Sequence, residues 1–331
     1  MASKWIVLKF GGTSVAGRPQ WETIAALAQQ RRSEGFRVVL VCSAVAGVTD
    51  RLTSLGGHPG SASLRLELLD VHKALGRALE VDDRQWLPQA EQQLDRCLHD
   101  LRNHPEPSRQ AALLGLGEWL STRIGSLFLG SRFKTGWVDA RDALQVTEDR
   151  ELSETRRWLA ADCLPGADPE LAVRWGRLSP VLVTQGFIAR TESGDTALLG
   201  RGGSDTSAAL LAGRLEAERL EIWTDVPGLF SADPRRIESA RLLARVDYAE
   251  ALEMAASGAR VVHPRCIRAA AATGTPVAVR DLGRSAADGT LIQAEETVCE
   301  GIRAVTCRED MAVILLQNLD ARYQVGFLAE V

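Results

Sequence analysis

Five short apolar runs, at 5–10, 38–42, 180–187, 220–224 and 276–279, are bounded by glycine or serine and separated by stretches of helical periodicity. Runs of this length that stay apolar throughout read as strands buried on both faces, and the helices between them make the sheet largely parallel. The fold class this predicts is α/β. Between residues 60 and 129 the pattern changes to leucine at three- and four-residue spacing (LRLELLDVHKALGRAL, then AEQQLDRCLHDL), so a helical block is inserted, divided by HPEPS at 104–108. From Gly301 a further unit begins, with MAVILL as a strand and VGFLAEV as the start of a helix. A strand and half a helix cannot bury a core alone.

A chain of 331 residues, 45% hydrophobic and 25% charged, can bury a sizeable core in one large unit or two lobes. The longest apolar runs are too short or too glycine-broken to span a bilayer, and MASKWIVLKF lacks a secretory core and cleavage site, so a cytoplasmic location without membrane partners is expected. Six scattered cysteines without a CxxC pair indicate neither a zinc site nor a disulfide framework. A net charge of −4 offers no basic footprint for nucleic acid.

The loops that follow the predicted strands carry the chemistry, because open α/β sheets bind ligands at the carboxyl ends of their strands. In KFGGTS, Gly11 and Gly12 allow backbone N–H groups close to a phosphate while Lys9 adds point charge; an ordinary strand-to-helix turn with a snorkelling lysine explains the same residues. Lysine is rare here, at Lys4, Lys9, Lys73 and Lys134 among 39 basic residues. That rarity favours a chosen role for the one in a glycine turn. In CSAVAGVT, Ser43 and Gly47 are placed to close over a phosphate or substrate, and Thr49 either offers a hydroxyl or caps the next helix.

LLGRGGSDTSAALLA is more specific. Gly200, Gly202 and Gly203 surround Arg201, and Ser204 and Asp205 stand where a helix begins, so backbone donors, a guanidinium and a helix N-terminus converge on an anion. A capped helix alone explains Ser204 and Asp205 but not the three glycines. EIWTDVPGLFSADPRR is an acidic loop after a strand, in which Phe230 is suited to lie against a flat ring; a surface turn with caps explains the same residues. In GARVVHPR, His263 reads as structural, since no second histidine stands at ligand spacing. Glu118, on a predicted helix with small neighbours, is suited to meet an ammonium group, although most helix glutamates merely face water.

The ordered set KFGGTS, SAVAGVT, LGRGGSD, WTDVPGLFSADPR and GARVVHP resembles the aspartokinase family over nearly the whole chain. The resemblance implies an amino-acid-kinase-like αβα sandwich that transfers the γ-phosphate of ATP to the β-carboxylate of L-aspartate, with Mg²⁺. That is the first step toward lysine, threonine and methionine. It implies a catalytic domain over 1–300, with an amino-acid lobe to about 190 and a nucleotide lobe beyond, and an incomplete ACT-like regulatory segment over 301–331. Carried over by motif, Lys9, Gly11 and Gly12 cradle the transferring phosphate, while Ser43, Thr49 and Glu118 hold aspartate. Arg201 grips a carboxylate beside Gly202, Gly203 and Ser204, and Asp205 orients the lysine. Thr224, Asp225, Phe230, Asp233, Arg235 and Arg260 line the ATP site, and no metal ligand is assigned.

Phe230 stands where the family usually has tyrosine, Arg260 where it has lysine, and Leu198 where it has threonine. The opening KWIVLKFGGTSVA and the tail YQVGFLAEV also resemble the kinase half of fused aspartokinase–diaminopimelate decarboxylases. Two alternatives stand beside aspartate kinase: another carboxylate kinase of this fold, such as one using glutamate, and a non-catalytic nucleotide-binding subunit. Oligomeric state is left open, a homodimer included.

Overall fold

A computed structural model describes residues 4–147, 149, 151–259, 261–284, 289–294 and 301–307. The chain begins β1 (Trp5–Phe10), α1 (Arg18–Ser33), β2 (Arg37–Cys42) and α2 (Val48–Gly57). The helical insertion follows as α3 (Ala62–Ala78), α4 (Leu87–Asn103), α5 (Pro107–Leu114) and α6 (Leu116–Gly130). His104, Pro105 and Glu106 break it between α4 and α5, and Pro107 opens α5, where its missing N–H costs nothing. Next come β3 (Thr135–Trp137), α7 (Glu154–Leu159), α8 (Pro169–Gly176), β4 (Val181–Gln185), β5 (Ile188–Arg190), β6 (Thr196–Leu198) and α9 (Gly203–Arg214). The last described elements are β7 (Leu220–Thr224), β8 (Arg245–Val246), α10 (Tyr248–Ser257), α11 (Pro264–Thr273), β9 (Val277–Asp281) and β10 (Thr290–Ile292).

Eight strands form one sheet in the order β3-β4-β2-β1-β7-β9-β10-β8, parallel from β3 to β9, with β10 antiparallel to β9; β5 and β6 pair as a separate antiparallel ribbon. This is the expected α/β sandwich. Strand parity assigns the two faces. Ile6, Leu8 and Phe10 pack with Trp21, Ile24 and the insertion's Leu68, Leu94 and Phe128, whereas Trp5 and Val7 pack with Leu210 and Leu211 of α9 and Ile267 of α11. Lys9 shares the parity of Trp5 and Val7. It therefore projects toward α9.

β1 is central, with β2 and β4 on one side and β7 and β9 on the other. Chain connections diverge there, which opens a crevice at the carboxyl ends of β1 and β2. No helix of the described residues is long and apolar enough to cross a membrane. The tail read as ACT-like lies outside the described residues from 308 onward, as does Arg260.

Candidate active site

A cleft of about 370 Å³ opens in that crevice. Its wall includes Lys9, Gly11 and Gly12 after β1, Ser43 to Gly47 after β2, Thr49 of α2, Glu118 of α6, and Gly202 to Asp205 at the start of α9. The Lys9 Nζ lies 2.6 Å from Asp205 Oδ1, with both side chains mostly buried. A half-desolvated pair of this kind holds an ammonium in one orientation.

Close backbone approach explains Gly12. A Cβ there would stand 2.8 Å from the Ala44 carbonyl oxygen and 3.1 Å from the Ala46 nitrogen, and the Ala46 N–H donates to the Gly12 carbonyl at 3.2 Å. The loops after β1 and β2 are thereby fixed to each other. Gly47, at φ +76°, precedes α2 in the left-handed region, so the helix boundary falls there. The capping alternative for Thr49 is thus corrected: Thr49 is inside the first turn and contributes to the cleft wall.

Glu118 is almost wholly buried, at 3% exposure, and its Oε2 has no hydrogen-bond partner among the described residues. Gly117 lets α6 approach, since a Cβ would lie 2.8 Å from the Ala44 Cβ, and Ser121 donates to the Ser43 carbonyl at 2.7 Å. Burial pushes the Glu118 carboxyl up to about 8, against backbone hydrogen bonds at Ala44 and Glu118 that favour its charged form. A buried acid with a free oxygen facing a cleft is suited to receive a cation.

The glycine turn before α9 has two left-handed residues, Gly200 at φ +68° and Gly202 at φ +65°. A Cβ on Gly202 would meet the His263 ring at 2.1 Å, and one on Gly203 would meet Phe187 at 2.5 Å. Phe187 is itself left-handed at φ +68°, held by its N–H donating to Ser207 Oγ at 2.8 Å. Arg201, between the glycines, is exposed and is not part of the cleft wall.

The proposed nucleotide residues occupy the other side of β1. Thr224 ends β7, beside the end of β1 through the pairing of Phe10 with Trp223, and its hydroxyl donates to Asp225 Oδ1 at 3.1 Å. Phe230 is half-buried, and Arg235 donates to Asp233 at 3.0 Å on the surface, which holds the Asp233 carboxyl below its usual range. None of these five lines the 370 Å³ cleft. Leu198 is buried in the core, so the departure there does not remove a polar contact from the cleft wall. Phe187 and the backbone of Ala44 to Ala46 were not singled out from the sequence; a non-glycine residue at positive φ leaves no sequence signal.

A sequence model described as the amino acid kinase family matches residues 4–281. Lysine-sensitive aspartokinase 3 of Escherichia coli is 32% identical over 99% of this chain and 73% of its own length. The chain belongs to the aspartokinases of that family. Aspartokinase 2 of Bacillus subtilis is 28% identical over 95% of this chain and 65% of its own. The chain spans only 32% of the bifunctional aspartokinase/homoserine dehydrogenase 1 of Arabidopsis thaliana, at 30% identity. Among solved structures, E. coli aspartokinase III in complex with aspartate and ADP superposes with a TM-score of 0.71 at 32% identity, covering 89% of this chain and 65% of that one. In this aspartokinase the loops after β1 and β2 and the glycine turn after β6 meet at one cleft.

Proposed function

We propose that this chain transfers the γ-phosphoryl group of ATP to the β-carboxylate of L-aspartate, giving 4-phospho-L-aspartate. The observation that carries the reading is the placement of Glu118, with its unpartnered buried oxygen, in the same cleft as the Lys9 and Asp205 pair. One end fits an α-ammonium and the other fits anions. The E. coli relative that holds aspartate and ADP supports the same substrates here.

The acceptor carboxylate, with an ordinary pKa near ~3.9, is ionised at neutral pH, so no general base is required. Charge is the obstacle. Two anions must meet in line, and fixed cations and backbone N–H groups stabilise the charge that spreads over the γ-phosphoryl oxygens. Lys9 supplies the cation, Asp205 keeps it aimed, and the amides of Gly11, Gly12, Gly203 and Ser204 cradle oxygens at the N-terminus of α9. Glu118 takes the α-ammonium, Thr49 and Ser43 flank it, and Arg201 reaches a substrate carboxylate from the rim. Thr224, Asp225, Phe230, Asp233, Arg235 and Arg260 serve the nucleotide.

Among the described residues no three acidic, histidine or cysteine side chains cluster as metal ligands. No side chain is assigned to the metal: Asp205 is engaged by Lys9 and Glu118 by the α-ammonium, so Mg²⁺ would be held mainly by phosphate oxygens and water. When bound with nucleotide, Mg²⁺ neutralises phosphate charge. The lobe division near 190, the ACT-like character of 301–331, a cytoplasmic location and a role in lysine biosynthesis complete the proposal. ATP-dependent hydroxamate formation, with aspartate and glutamate compared, tests it. An aspartate-dependent signal is expected; a signal with glutamate only, or with neither, would refute it.

A further inference from the structure

The turn that presents Arg201 is held from outside the cleft by the start of α11. Arg265 donates from Nη1 to the Leu199 carbonyl, and from Nη2 to the Ala161 carbonyl and Asp162 Oδ1, both at 2.5 Å. One guanidinium thus joins the residue before Gly200 to the loop after α7, which is itself tied to β6 where the Ala161 N–H donates to the Leu198 carbonyl at 2.8 Å. Two residues earlier in the chain, the His263 ring lies directly on Gly202, and its Nδ1 accepts the Arg265 N–H at 3.3 Å. Both sides of Arg201 are therefore pinned, Leu199 by Arg265 and Gly202 by His263. The planar fork of arginine suits this, since one lysine ammonium cannot span three acceptors in the same arrangement.

We propose that Arg265, with His263, is a positioning residue for the reaction: it fixes the 199–203 turn so that Arg201 is presented to the substrate carboxylate. Arg265 does not line the cleft and acts only through the turn. The proposal rests on the reading of Arg201 given above. Its distinctive consequence is a defect confined to the acceptor. Full-length Arg265→Ala is expected to raise KM for aspartate at least ~10-fold, a scale set by the cost of small misplacements, while KM for ATP changes less than ~2-fold. Arg265→Lys, which keeps the charge, recovers part of the loss and guards against misfolding of the alanine variant, with Tm measured for both.

Combination with Arg201→Ala separates positioning from general destabilisation. If Arg265 works through Arg201, the double variant matches Arg201→Ala alone within ~2-fold. Multiplying defects, equal losses for both substrates, or an unchanged KM for aspartate in Arg265→Ala would overturn the proposal while the Arg201 reading stands. An unchanged KM in Arg201→Ala itself would overturn that reading, and the clamp with it.

Discussion

Replacing Glu118 by glutamine keeps the shape of a carboxyl group that is buried in the cleft and removes its titration. Burial raises the Glu118 carboxyl from an ordinary 4.5 to about 8, so between those values the folded chain retains a proton that the unfolded chain has lost. Stability from this group is complete below pH 4.5 and drains away as pH rises toward 8. The slope is about 1.4 kcal/mol per pH unit, which by pH 7 amounts to roughly 3 kcal/mol. The stability of Glu118→Gln minus that of wild type should therefore climb by about that slope from pH 5 to pH 7 and level off as pH passes 8. Urea unfolding of both proteins at unit steps, without substrate, isolates the group, since every other titration cancels in the difference. Aspartate affinity follows from the same proton: the ionised fraction of an acid with pKa about 8 rises roughly 50-fold from pH 6 to pH 8, and wild-type affinity should rise with it. A stability difference flat to within ~0.5 kcal/mol would show that Glu118 is not held protonated by burial. A pH-independent affinity would show that it does not receive the ammonium.

Lys9→Ala should lower kcat by at least ~10²-fold in the hydroxamate assay, the scale for loss of one preorganised charge-stabilising donor. Gly12→Ala should impair turnover more than folding, because its Cβ would meet the Ala44 carbonyl at 2.8 Å and part the loops after β1 and β2; unchanged kinetics would contradict that packing. Arg31→Met should cost roughly 3 kcal/mol in denaturant unfolding. It removes the Arg31 Nε–H that the two oxygens of the fully buried Glu221 share at 3.0 and 3.1 Å, although Arg219 at 2.8 Å and the Trp223 indole at 3.2 Å remain.

Chemistry that depends on local sequence was legible; chemistry that depends on what a residue packs against was not. The runs at 5–10 and 220–224 coincide with β1 and β7 because central parallel strands are apolar on both faces, while β3, β5, β6, β8 and β10, each of two or three residues, are too short to show a period. Glu118 looked like many other helix glutamates until family resemblance singled it out, since its burial goes with the seating of α6 on the loop after β2, where Gly117 and Ser121 make their contacts. The glycine turn shows the difference most sharply. Its three glycines were read as room for an anion, and the structure does place Gly200, Gly202 and Gly203 on the cleft. Yet a Cβ at 202 is forbidden by the His263 ring and one at 203 by Phe187, both protein contacts. The same glycines therefore face two demands, open backbone toward the ligand and close packing behind it. Because the second comes from residues some 16 positions upstream and 61 downstream, loop composition alone displays only the first.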